Sequence, residues 1–190
     1  MLRIHLLISL ALLTAACATA PKGDETKEVA AHPTEAQIDQ ARQALVPLKT
    51  GLQGALQTAM QKGPDNAIEV CRLEAPRLAE AASTNSLQVG RTSHKVRNPD
   101  NTPEPWMESY LEEFRDTAPE PGVHRATVLE DGRVAYVEPI YMQAMCVTCH
   151  GAEESLAPSI RATLDNQYPE DQATGFAEGD FRGLFWVTLE

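Results

Sequence analysis

Thr34 and Gln37 are spaced as a capping box, and behind them Ile38, Ala41, Leu45, Leu48, Leu52, Leu56 and Ala59 recur at intervals of three and four. This pattern predicts an amphipathic helix of about seven turns with one apolar stripe to bury. Pro47 falls inside it and is expected to bend it, because the ring removes one ladder bond. Gly63-Pro64-Asp65-Asn66 interrupts the pattern. A second helix is predicted from about Asp65, with Ile68, Cys71, Ala75, Leu78 and Ala82 on one stripe, so Cys71 should point toward the core.

From Ser86 the period changes. Leu87-Gln88-Val89 alternates like a strand, and the run from Val128 to Val137 reads as a hairpin around Asp131-Gly132. Leu184 to Leu189 supplies a closing strand apolar enough to be central, on which Phe185 and Trp186 must face opposite ways. Between these lie a helix over Pro103 to Phe114, packing Trp106, Tyr110 and Phe114, and another near Ala157 to Leu164. Trp106 is expected in core rather than in a pocket. Helices followed by strands that helices interrupt predict an α+β fold, with N-terminal helices packed on an antiparallel sheet.

The first residues obey neither pattern. A short basic head precedes the apolar run Leu6 to Leu13, which is too short for a permanent membrane span, so residues 1–16 read as an export signal. Leu13-Thr14-Ala15-Ala16-Cys17 resembles a bacterial lipobox, in which Cys17 is lipidated and becomes the new N-terminus. Ordinary cleavage near Ala16 or Ala20 is the alternative. Residues 17–33 are polar and aperiodic, as in a flexible tether. With Ala18 after the cysteine, the expected location is the periplasmic side of a bacterial outer membrane, held by the lipid anchor. Residues 34–190 form the expected domain, helical over 34–84 and sheet-based over 85–190.

Composition narrows the function. Sixteen Lys and Arg against 27 Asp and Glu give a net charge of −11, which argues against nucleic acid as a partner. A hydrophobic content of 43% excludes a disordered chain. Four cysteines are too few for a disulfide scaffold.

Three of those cysteines carry chemistry, or could. Cys146-Val147-Thr148-Cys149-His150 is the C-x-x-C-H attachment signature of haem c: two thiols add to the two vinyl groups of one porphyrin, and the adjacent imidazole reaches the iron. The competing readings are a thioredoxin-like redox pair, which normally needs a βαβ context, and half of a zinc site, which needs further ligands. One motif implies one covalent haem. Cys71 is then an odd thiol in an oxidising compartment. It is either a small buried apolar residue or, as a thiolate, the second axial ligand; Met142, Met145, His94 and His124 are rival ligands, the two methionines lying too near the attachment site to cross easily. Arg91, Lys95 and Arg97 form a basic stretch unusual in so acidic a chain. Arg91 and Arg97, with Asn98 nearby, are candidate partners for haem propionates, a structural ion pair or solvated face being the other reading. Tyr141 could hydrogen-bond a ligand, although nothing in the sequence requires it.

Asn66 to Cys71, Val89 to Asn101 with Pro105-Trp106, the Cys146–His150 motif and Gly179 to Gly183 together resemble the single-haem c-type sensor family with a PAS-like domain, long catalogued as a domain of unknown function. The resemblance covers nearly all of residues 34–190. It implies a PAS-like antiparallel sheet, His150 as proximal ligand and Cys71 as distal ligand.

A His/thiolate pair stabilises ferric iron and predicts a low reduction potential. With both axial positions filled, and no acid/base constellation beside the motif, enzymatic activity is not expected. The first functional reading is electron transfer with a redox partner whose docking face is basic. The second is a redox sensor, or a sensor of a small gas such as CO or NO bound after reduction. Related domains often precede signalling modules. Here the closing strand reaches Glu190, so a sensor is expected to act through a separate signalling protein.

Overall fold

A computed structural model describes residues 32–190. The leader, Cys17 and the tether as far as residue 31 lie outside the described residues. Helix α1 (Glu35–Gln61) starts at Thr34, whose hydroxyl accepts from the Gln37 amide while the Gln37 side chain returns to the Thr34 amide, so both halves of the capping box form. Pro47 lies inside this helix. Ala41, Leu45 and Leu48 are fully buried beneath it.

The predicted second helix is in fact three segments: α2 (Pro64–Glu69), a π-helical turn over Val70–Glu74, and α3 (Ala75–Ala82). Pro76 gives the physical reason. It has no amide to donate to the Arg72 carbonyl and its ring crowds that group, so the ladder widens, with the Ala75 amide reaching back to the Val70 carbonyl. The predicted stripe divides accordingly. Ile68 packs with Ile160 and Leu164, whereas Leu78 packs on the main core. Cys71, between them, is half-buried and not in the packed core.

Four antiparallel strands, β1 (Leu87–Thr92), β2 (Arg125–Val128), β3 (Val134–Tyr141) and β4 (Phe181–Leu189), form one sheet in the order β1-β4-β3-β2. The closing strand is central, as its apolarity predicts. The Asp131-Gly132 turn joins β2 to β3, with Gly132 at φ 86° and the Leu129 amide bonded to the Arg133 carbonyl at 2.8 Å. One face of the sheet presents Val89, Tyr136, Val187 and Leu189 to α1 and α3. The other presents Val137 and Leu184 to helix α4 (Glu108–Arg115) through Leu111 and Phe114. Trp106 and Tyr110 pack on this second cluster, so Trp106 is core-side as expected. Phe185 and Trp186 do face opposite ways, one to each cluster. Two helices complete the fold: α5 (Ala144–His150), which the periodicity did not reveal, and α6 (Pro158–Gln167), packed on α2. Among the described residues no helix is long and apolar enough to cross a membrane.

Candidate functional site

β3 runs almost directly into α5. Within this helix Cys146 and Cys149 are three residues apart, hence on one face, and His150 is its last residue. All three line one cavity. Leu52, Leu56 and Met60 of α1 supply an apolar wall. Cys71 of the π-turn also lines it. The widened turn thus brings a sulfur from far upstream in the chain to the cavity of the C-x-x-C-H helix.

The imidazole is held in one tautomer. His150 Nδ1 lies 2.7 Å from the Ala173 carbonyl oxygen, which can only accept, so Nδ1 carries the proton and Nε2 keeps its lone pair. Burial, then the charges of Arg97 and Arg182, hold His150 well below its ordinary pKa and keep it neutral. The segment from Asp171 to Phe176 forms a strap around it. The Gly175 amide donates to the Gly151 carbonyl at 2.8 Å, the Phe176 amide to the His150 carbonyl at 2.9 Å, and the Phe176 ring meets the imidazole edge-on at 6.4 Å. Burial pushes the Cys149 thiol up to about 11, against the pull of Arg97. Among the described residues, no three His, Cys, Asp or Glu side chains converge as a bare metal site.

Of the sequence-predicted basic stretch, Arg91 and Arg97 reach this cavity, with different commitments, whereas Lys95 donates to the Thr174 carbonyl at 3.0 Å and does not line it. Arg97 is buried, pairs with Asp171 at 2.9 Å and donates to the carbonyls of Cys149 at 2.7 Å and Ala173 at 3.1 Å. It therefore ties the strap to α5. Arg91 Nη2 donates to the Cys71 carbonyl at 3.1 Å and holds the π-turn against β1. Asn98 lines the cavity, and its Oδ1 accepts from the Asp100 amide at 3.2 Å. Tyr141 also lines the cavity; its hydroxyl is buried without a protein partner, and burial raises its pKa. Of the rival ligands, Met142 and Met145 line the cavity, whereas His94 and His124 do not. His94 stacks on Phe181 at 5.6 Å and His124 on Tyr136 at 5.2 Å.

Sequence reasoning missed Arg182, a third guanidinium on the cavity wall, and the strap. Arg182 lay within the quoted motif Gly179 to Gly183, but alternation along β4 gives no hint of which way it points.

No curated protein matches this chain. It is similar to a solved structure described as the cyanobacterial heme-protein Tll0287, with a TM-score of 0.62 and 25% identity, over 83% of this chain and 96% of that one. The model of the Tll0287-like family matches residues 23–189, nearly the whole sequence, and the chain belongs to that family.

Proposed function

We propose that the cavity holds one haem c, joined through thioether bonds to Cys146 and Cys149, with His150 and Cys71 as axial ligands, and that the protein is an electron carrier of low potential rather than an enzyme. The observation that carries this reading is a convergence on one cavity: two thiols on one helix, a neutral imidazole with Nε2 free, and a third thiol from a separate element. The likeness to a heme-protein over most of both chains supports it. The four-stranded antiparallel sheet with helices against it supports a PAS-like scaffold.

When bound, the haem supplies a one-electron couple. The polypeptide supplies the rest. The Ala173 carbonyl and the Phe176 ring fix the orientation of the His150 imidazole, and Arg97 fixes the strap that carries them. Arg91 fixes the turn that carries Cys71. A thiolate from Cys71 would favour the oxidised state, and iron held by both His150 and Cys71 would offer a substrate no free position. The lipidated Cys17 would tether this domain on the periplasmic side of the outer membrane, and a net charge of −11 favours a redox partner with a basic docking face.

A second reading, a redox or gas sensor acting through a separate protein, is favoured by one observation. Cys71 sits on a π-turn, a local register that lies close to ordinary α geometry and is tied to the sheet by one arginine bond.

A redox-titrated absorption spectrum tests the ligand set. The wild type should be six-coordinate and low-spin when ferric, with a low midpoint. Cys71→Ala should retain covalent haem, lose the thiolate signature and raise the midpoint. An unchanged ferric spectrum in Cys71→Ala removes that sulfur from the iron.

A further inference from the structure

Arg182 reaches the cavity because of an irregularity in the sheet. β3 and β4 pair in register as far as Ile140 with Gly183, and the next pair is Tyr141 with Phe181, so Arg182 is the extra residue of a β-bulge. Simple alternation would place Phe181 on the same face as Phe185 and Val187. Phe181 packs instead with Leu184 and Val137 on the opposite face, and Arg182 lines the cavity. The neighbouring position must be glycine, since a side chain on Gly183 would collide with the Thr92 carbonyl oxygen. The fold thus accepts a strand defect and a backbone contact at the position where this cation turns inward.

Among the described residues the cation has no carboxylate partner. Arg182 Nη1 donates to Ser93 Oγ and, at 3.1 Å, to the Lys95 carbonyl, and its guanidinium lies 5.3 Å from the Phe176 ring centre. Among the described residues, no carboxylate lies within ion-pair distance of Arg182 or of Arg91. Burial, then the like charges of Arg97 and Arg91, pull Arg182 down to about 10. Among the described residues, Arg97 alone of the cavity arginines has a carboxylate, Asp171. Two guanidiniums in a largely apolar cavity are therefore left without anions, an arrangement that costs stability unless a ligand brings the missing charge.

We infer that Arg182 and Arg91 form a receptor for two carboxylates, and that it selects and orients a porphyrin by its two propionate groups. This rests on the haem reading, and deepens it by naming Arg182 as a binding residue and by giving Arg97 a positioning role.

The test is a titration of the Cys146→Ala/Cys149→Ala protein, which removes covalent capture, with iron protoporphyrin and with its dimethyl ester. The receptor predicts that the ester binds at least about tenfold more weakly than the acid, and that Arg182→Gln brings the ratio toward one while Arg182→Lys preserves most of it. Equal affinity for acid and ester overturns the receptor while leaving the haem reading intact. Binding of neither porphyrin overturns both. The comparison on the Arg182-containing protein decides the matter even where Arg182→Gln fails to fold.

Discussion

His94 shows how far the surroundings of a residue can override its chemistry. Its sequence position made it a rival iron ligand, yet the ring lies stacked on Phe181 and edge-on to Phe176, with Nδ1 buried and unpartnered. Burial first, then the charges of Arg182, Arg115 and Lys95, hold its pKa below the ordinary histidine value. The unfolded chain takes up a proton near pH 6.5, while the folded chain resists it to lower pH. The contribution of His94 to stability is thus complete above about pH 6.5 and is lost as the pH falls toward the depressed folded value. Denaturant midpoints of the haem-loaded protein from pH 7.5 to pH 5 should fall for the wild type and fall less steeply for His94→Phe, which keeps the stack and cannot titrate. Equal slopes would count against this reading. At Leu45, with no exposure at all, the expectation is simpler: Leu45→Ala should cost about 2–5 kcal/mol in denaturant unfolding.

At the scale of elements, legibility followed the regularity of the backbone. α1 was readable because the capping box and the stripe agree, and the hairpin because Asp131-Gly132 imposes its turn. The C-x-x-C-H motif was readable as chemistry although its helix, seven residues long, is too short to show a period. Two irregularities were not readable. The π-turn and the Arg182 bulge each shift the side-chain register by one residue, and period-based reasoning carries the old register across such a step. Pro76 was the available signal for the first, and Gly183 for the second. The turn also yields a prediction. Pro76→Ala restores an amide that can donate to the Arg72 carbonyl, which should let the turn relax toward α geometry and rotate Cys71 away from the cavity. Covalent haem should persist, with a ferric spectrum shifted toward that of Cys71→Ala; a spectrum identical to wild type would contradict the role given to the proline.

Over the whole molecule, charge is sorted by place. The chain carries −11 overall, yet the cavity wall carries three arginines and, among the described residues, no carboxylate. The acidic exterior suits a basic partner, and the cationic interior suits a ligand with acid groups. One sheet covered on both faces by helices leaves this cavity between α1, the π-turn, α5 and the sheet, so that the π-turn and the bulge at Arg182 both border it. Covalent attachment of one haem at that place underlies every role assigned to the cavity residues. The direct measurement is to produce the chain in cells equipped for c-type haem attachment, denature it, and read haem staining and intact mass on the separated polypeptide. The prediction is a stained band with the mass of one haem added, lost in Cys146→Ser/Cys149→Ser. A colourless band, or haem that extracts into acidified organic solvent with both thiols intact, would contradict it.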